Sequence, residues 1–300
     1  MIKKKYLEKL RIDPGEKVNL KRIDTGGIPG KDQKTAGMET VKERAEDLLE
    51  ASRVTLAQSQ EILWASNDYS ILIILQGMDT AGKDGIIRHV MSGMNPQGCR
   101  VSTFGVPNEL EIDHDFLWRT TLELPRRGEI GIFNRSYYEE LLVVKVHPGI
   151  LERQRLPPGK RGQKFWNARY EDINAFERHM VRNGTVILKF FLHISKKEQR
   201  ERLLGRLDDE EKYWKFSASD LAERASWDAY QEAYEMMLEQ TSTKEAPWYV
   251  IPADYKWLAR TLVADIISAR VQALKLQYPV VSDEKLVEIG KAREALRNEE

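Results

Sequence analysis

The sequence predicts an α/β protein in three layers, αβα, with a parallel sheet covered by helices on both faces. Three observations predict it. Apolar runs of strand length alternate with longer stretches of helical periodicity, the signature of strands joined by crossover helices. The first run, Ile71-Leu72-Ile73-Ile74-Leu75, has no polar alternation, as expected of a strand buried on both faces. A glycine-rich turn, Gly77-Met78-Asp79-Thr80-Ala81-Gly82-Lys83, follows it at once and opens a helical pattern.

In chain order, residues 1–37 are polar and broken by Pro14-Gly15 and Gly26-Gly27-Ile28-Pro29-Gly30. They read as an irregular N-terminal extension lying over the core or over a neighbouring subunit. From Met38 to about Asn67 the pattern is helical, with Val41, Ala45, Leu48 and Leu49 on one face. A strand is expected at 71–76. Four more follow: Arg100 to Phe104, Ile130 to Phe133, Val186 to Ile194, and Trp248 to Ile251, which ends at Pro252. Helices are expected at 83–94, 109–120, 135–146, 164–183, 196–207, 218–239 and 255–277. This gives one domain over 38–282, with a helical lid at about 196–225 and a charged helical tail at 283–300.

The chain has 300 residues, enough to bury a sizeable core. Lys plus Arg and Asp plus Glu each number 47, so overall charge points to no partner, nucleic acid included. Locally, Arg153, Arg155, Lys160, Arg161, Lys164 and Arg169 face only Glu152 at the edge of their stretch. Such a surface can bind a polyanion, or be an ordinary solvated face. The single cysteine, Cys99, excludes an internal disulfide framework and fits a reducing compartment. The N-terminus lacks the apolar stretch of a signal peptide, and no run approaches the ~20 apolar residues of a membrane span. A soluble cytoplasmic protein is expected.

Strand, glycine-rich turn and helix make a phosphate-binding loop: backbone N–H groups and the helix N-terminus receive the anion. Gly77, Met78, Thr80, Ala81 and Gly82 supply the cradle, and Lys83 adds a mobile positive charge. Ser or Thr usually follows the lysine as a magnesium ligand; here the residue is Asp84, a phosphate-site residue or simply an acid in the first turn of a helix. Asp79 would repel phosphate unless a cation lay between them, so it reads as a magnesium ligand or a base near the acceptor; the alternative is a turn-former. At the end of the next central strand candidate, Asn134 occupies the usual place of a second metal ligand. Arg135 would face the phosphates with its planar fork. Glu139, four residues on, shares its face or forms a surface ion pair. Arg202 and Arg206 share a face of the charged helix 196–207, where a lid arginine would stabilise transferring charge. Arg119 would grip an acceptor phosphate. No Gly-x-Ser-x-Gly string and no zinc-ligand histidine spacing occurs.

These residues resemble the polyphosphate kinase 2 family. The matching strings are Gln76-Gly77-Met78-Asp79-Thr80-Ala81-Gly82-Lys83-Asp84-Gly85, Phe104-Gly105-Val106-Pro107, Leu124-Pro125-Arg126-Arg127-Gly128-Glu129 and Phe133-Asn134-Arg135-Ser136-Tyr137-Tyr138-Glu139. Trp214-Lys215-Phe216-Ser217, Trp227-Asp228-Ala229-Tyr230 and Ala246-Pro247-Trp248-Tyr249-Val250 follow in the same order. The resemblance implies a P-loop kinase fold like thymidylate kinase, a lid over the loop, magnesium, and phosphoryl transfer between inorganic polyphosphate and ADP or AMP, with ATP among the nucleotides handled. Many relatives have Asp where this chain has Asn134. Glu139 falls where many have Asn, and the branch with Glu is associated with accepting AMP as well as ADP. Family members assemble, so a homo-oligomer is expected. An ATP-dependent nucleoside monophosphate kinase of the same fold, or a nucleotide-binding protein without turnover, are the competing readings.

Overall fold

Ser70–Gln76 are buried along their whole length and form β1, the central strand of a five-stranded sheet. The computed structural model describes residues 4–27, 30–215 and 217–299. The other strands are β2 (Cys99–Thr103), β3 (Ile130–Asn134), β4 (Thr185–His193) and β5 (Trp248–Pro252). Their order is β2-β3-β1-β4-β5, and every neighbouring pair is parallel. All carboxyl ends therefore lie along one edge. The strand order reverses beside β1, which opens a crevice there for a ligand. The register puts Leu75 next to Asn134 on one side and Phe190 on the other.

The helices in chain order are α1 (Lys4–Glu8), α2 (Gly30–Ser66), α3 (Lys83–Val90), α4 (Glu109–Ile112), α5 (Trp118–Thr121), α6 (Val143–Val146) and α7 (Pro148–Arg153). They continue with α8 (Gln163–Arg182), α9 (Lys196–Leu207), α10 (Ala218–Ala225), α11 (Trp227–Thr241), α12 (Lys256–Gln272) and α13 (Asp283–Arg297). α12 packs along α2 and α3 on one face of the sheet, and α8 and α11 pack together on the other. The α/β class and the three layers are as the sequence indicates, and all five strands lie where expected.

Several boundaries differ from expectation. α2 begins at Gly30, upstream of Met38. The stretch 109–120 forms two single turns, because Asn108 caps α4 in a reciprocal box with Glu111 and the chain leaves the helix after Ile112. The stretch 135–146 is not one helix. Arg135 has φ 64° and cannot start one; a 3-10 turn, Tyr137–Leu141, precedes the short α6. Tyr137, Tyr138, Glu140 and Leu141 are all buried there, which an amphipathic helix would not allow. The stretch 218–239 breaks at Ser226 into α10 and α11.

The N-terminal segment lies on its own core. Ile12 N–H donates to Trp248 O at 2.9 Å and Val250 N–H to Leu10 O at 2.7 Å, so the segment covers the outer edge of β5. Leu10, Ile12, Val18 and Leu20 are buried. Glu239 and Glu235 of α11 accept from the backbone N–H groups of Val18 and Leu20.

Candidate active site

The loop after β1 takes its shape from two glycines and one strained threonine. A Cβ at Gly77 would sit 2.9 Å from the carbonyl oxygen of Leu192 on β4, so only glycine lets the loop leave the sheet this closely. Gly82 stands at φ 113° as the N-cap of α3, a backbone state glycine adopts without penalty. Thr80 has φ 67°, and its Oγ1 is buried with no hydrogen-bond partner. Strain of this kind costs about 1–3 kcal/mol and persists where the surroundings impose it. Lys83, the first residue of α3, folds back to donate from Nζ to Gly77 O at 2.6 Å and Met78 O at 3.3 Å. Burial lowers its ammonium below its ordinary value, against the pull of Asp79. The loop thus supplies a desolvated ammonium and an orphaned hydroxyl.

From the neighbouring strand end, Arg135 Nη2 donates to Asp79 Oδ1 at 2.9 Å, and Arg135 Nη1 lies 4.0 Å from Glu139 Oε2. Burial works against the Arg135 charge, but Glu139 and Asp79 outweigh it and the guanidinium is held above its ordinary value. Burial pushes the Glu139 carboxyl up, with Arg135 and Lys83 pulling it down. Asn134 Nδ2 donates to Asp84 Oδ1 at 2.8 Å. The turn carrying these groups is fixed from beneath. Glu177 Oε1 accepts from Tyr137 at 2.8 Å and Tyr138 at 2.7 Å, and Glu177 Oε2 accepts from Lys189 Nζ at 2.7 Å. Lys189 also donates to Thr241 O at 2.7 Å. Lys189 and Glu177 are fully enclosed, so every donor and acceptor of this platform needs its partner.

Helix α9 meets the loop through Arg202. Its Nη1 donates to Thr80 O at 2.9 Å and Ala81 O at 3.1 Å, Nη2 to Ala253 O at 2.6 Å and Asp254 O at 2.9 Å, and Nε to Glu198 at 2.8 Å. All its donors are engaged, so in this structure Arg202 braces the loop while it lines the pocket. Arg206, one turn on, lines the site and pairs with Asp220 of α10 at 3.1 Å. Asp254 Oδ1 accepts from Ser195 N–H, at the start of α9, and Oδ2 from Thr25 of the N-terminal segment. α10 is latched down by Glu223, which accepts from His147 at 2.8 Å and from Tyr230.

The pocket so formed has a volume of about 890 Å³. Its walls bring together Asp79, Thr80, Ala81, Gly82, Lys83, Asp84, Asn134, Arg135, Arg202 and Arg206. Gly77 and Met78 lie at the foot of the loop, and Glu139 stands behind Arg135. Arg119 does not line the pocket. It donates to Gly105 O at 2.9 Å and lies over the Phe104 ring, steadying a corner whose residues do line it. The basic stretch Arg153 to Arg169 is also absent from the walls. Arg155 pairs with Asp113 at 2.6 Å, and Arg169 pairs with Glu140 at 3.1 Å and stacks on Phe116.

The cations along the wall come instead from α3 (Arg88), the 3-10 turn Glu210–Lys215 (Lys212) and α12 (Lys256, Arg260). Burial first, then Arg202, lowers both Lys256 and Arg260; Arg260 also feels Arg88. Their spacing within one helix is ordinary, and nothing in the sequence says that α12 returns beside α3.

The donor atoms fit magnesium. It takes oxygen ligands and is usually held by one or two carboxylates together with substrate phosphates. Asp79, Asp84 and the carbonyl end of Asn134 provide oxygens beside the loop. Among the described residues no group of three His, Cys, Asp or Glu side chains forms a protein cage for a metal.

The comparisons with known proteins agree with this geometry. The family described as Polyphosphate kinase 2 matches residues 39–279. The chain is 48% identical over 290 residues to an ADP-polyphosphate phosphotransferase of Rhodopseudomonas palustris, covering 96% of this chain and 98% of that one. It is 45% identical over 283 residues to an AMP/ADP-polyphosphate phosphotransferase of Meiothermus ruber, covering 94% and 99%. The crystal structure of polyphosphate kinase 2 from Arthrobacter aurescens superposes with a TM-score of 0.84 at 39% identity, covering 96% of each chain. With the family matched over residues 39–279 and relatives alike along nearly the whole length, the chain belongs to the polyphosphate kinase 2 family.

Proposed function

We propose that this chain moves a phosphoryl group directly between inorganic polyphosphate and ADP or AMP. The observation that carries this reading is the wall of cations beside the loop. Arg88, Lys212, Lys256 and Arg260 crowd one another at a single pocket. A substrate with a negative charge on every unit neutralises such a wall along its length. The wall then guides the end of a polyphosphate chain to Lys83.

In the transfer, the terminal P–O–P bridge of polyphosphate breaks and a new P–O bond forms to an oxygen of the nucleotide's last phosphate. Polyphosphate leaves shorter by one unit. Such chemistry needs positioning and charge neutralisation more than covalent help. Lys83 and Arg135 sit on either side of Asp79 to meet the equatorial oxygens. The Thr80 hydroxyl is available to a phosphate oxygen. Arg206 supplies the lid charge once it leaves Asp220. Arg202 and the Glu177 platform keep the loop and the Arg135 turn in place. Magnesium, when bound at Asp79 with Asn134, would lessen the repulsion between the two phosphate chains.

Glu139 beside Arg135 tempers the positive charge that the acceptor meets, and we assign it to AMP use: Glu139→Asn should lower turnover with AMP more than with ADP. We place the reaction in the cytoplasm, in an assembly of copies of this chain; no described helix is long and apolar enough to cross a membrane. The test is to incubate the protein with ADP, polyphosphate and magnesium and separate the nucleotides by anion exchange. ATP without matching AMP supports polyphosphate as donor. Equal ATP and AMP would mean that two ADP molecules reacted, as in an ordinary nucleotide kinase. Unchanged ADP would overturn catalysis.

A further inference from the structure

Gln199, in the first turn of α9, is a neutral side chain only 1% exposed, and it stands where two elements meet. Its Nε2 donates to Asp79 O at 3.2 Å. Its Oε1 accepts from Arg224 Nη1 of α10 at 2.8 Å, and the same nitrogen donates to Lys196 O at 2.8 Å. The amide can sit only one way round, because a guanidinium offers donors alone and so claims the oxygen. A buried amide engaged at both ends is held in one orientation.

Further along the same helix, Arg202 holds Thr80 O and Ala81 O. α9 therefore grips three successive carbonyls of the glycine-rich loop, those of Asp79, Thr80 and Ala81. A trans peptide sets the next N–H opposite its carbonyl, so these bonds turn the amides of Thr80, Ala81 and Gly82 away from α9. Asp79 is fixed at both ends: its carbonyl by Gln199 and its carboxylate by Arg135 at 2.9 Å. The Arg202 bonds run to the loop, to Glu198 and to the chain beyond β5. The Gln199 amide instead passes on to α10, which is docked by Asp220 on Arg206 and by Glu223 on His147. We infer that Gln199 is a positioning residue that makes the place of Asp79 depend, through Arg224, on the docking of α10. When Arg224 leaves, the amide is free to turn, and Asp79 O loses its donor. The kinetic consequence rests on the phosphoryl transfer proposed above; the structural coupling does not.

The test is hydrogen–deuterium exchange on the full chain, read by mass spectrometry at residues 79–82, with circular dichroism as a check of folding. Gln199→Met keeps the length and neutrality of the side chain and drops both bonds. Its loop amides should exchange about tenfold faster than in the wild type, the factor expected from losing one hydrogen bond. Arg224→Met should speed the same amides. The double variant should be no faster than Gln199→Met alone, since Arg224 then has nothing to act through. Turnover of ADP with polyphosphate is the second readout. There kcat of Gln199→Met should fall by about tenfold or more while KM for ADP changes less, because misplacing one group acts on the reacting geometry. Unchanged loop exchange in either single variant, additive effects in the double, a rise shared equally by β4 and α12, or an unchanged kcat would each overturn the inference. Should Gln199→Met fail to fold, Arg224→Met, at a half-buried position, still decides the coupling. Exchange as expected, with no phosphoryl transfer by the wild type, would overturn the proposed activity and leave the coupling standing.

Discussion

Arg202 on α9 donates to the carbonyl oxygen of Thr80, in the glycine-rich loop after β1, at 2.9 Å. Thr80 is the residue whose backbone lies in the left-handed region and whose hydroxyl is orphaned. The same guanidinium holds Ala253 and Asp254 at the end of β5. One side chain therefore fixes the strained loop to α9 and to the chain just beyond β5.

Arg202→Lys keeps the charge but offers three donors instead of a planar fork. We expect it to lose about 3 kcal/mol of stability, because one hydrogen bond made by a charged group contributes about 1.5–3 kcal/mol and more than one is lost here. Nucleotide KM should rise as the loop loosens. Urea unfolding and steady-state kinetics check this; wild-type stability would show that the loop holds its shape unaided.

Lys83→Ala and Asp79→Ala should each slow phosphoryl transfer by ~10²–10³, the usual cost of one electrostatic contact aimed at transferring charge. The melting temperature of Lys83→Ala should stay close to wild type, because burial already disfavours that ammonium. Near wild-type turnover in either variant would remove the residue from the site.

Arg260→Ala and Arg88→Ala should raise KM for polyphosphate with little change in KM for ADP. Fewer cations also means fewer counterions released, so the salt dependence of polyphosphate binding should flatten. Titration of KM against ionic strength gives the slope. Equal effects on both substrates would place the donor track elsewhere.

Glu139 carries a pH signature. Burial holds its carboxyl above its usual 4.5, so the native state binds this proton more tightly than the unfolded chain. The resulting stability is complete below the unfolded value and is lost as pH rises through the folded one. Glu139→Gln cannot ionise and lacks this loss. Urea midpoints of the two proteins should agree at about pH 4 and separate above it, with the glutamine variant ahead.

Glu177→Gln leaves Lys189 as an uncompensated buried cation and should cost about 3–5 kcal/mol. Replacing both, as Glu177→Leu with Lys189→Met, should return much of that stability, since a packed apolar pair avoids the desolvation. Turnover should stay low in the double variant, because Tyr137 and Tyr138 lose the acceptor that fixes the Arg135 turn. Full turnover there would reduce the platform to a packing role.

The sequence by itself determined the sheet and the loop. β1 is legible because a strand covered on both faces must be apolar throughout. Gly77, Gly82 and Lys83 are legible because a phosphate-binding turn needs particular backbone freedom and charge at fixed spacing. The family motifs ordered the rest of the chain. Tertiary structure alone decided which charges are free. Arg202 and Arg206 look equivalent one turn apart, yet Arg202 is consumed by four backbone carbonyls and Glu198, whereas Arg206 faces the pocket with a single carboxylate. Arg153 to Arg169 looks like a polyanion track, yet it lies outside the pocket walls, with Arg155 and Arg169 paired to Asp113 and Glu140, while Arg88 and Arg260 line the pocket from helices far apart in sequence. The reason is physical: backbone geometry and burial are written locally as residue type and period, whereas the neutralisation of a charge depends on which distant side chain folding brings to within hydrogen-bond reach.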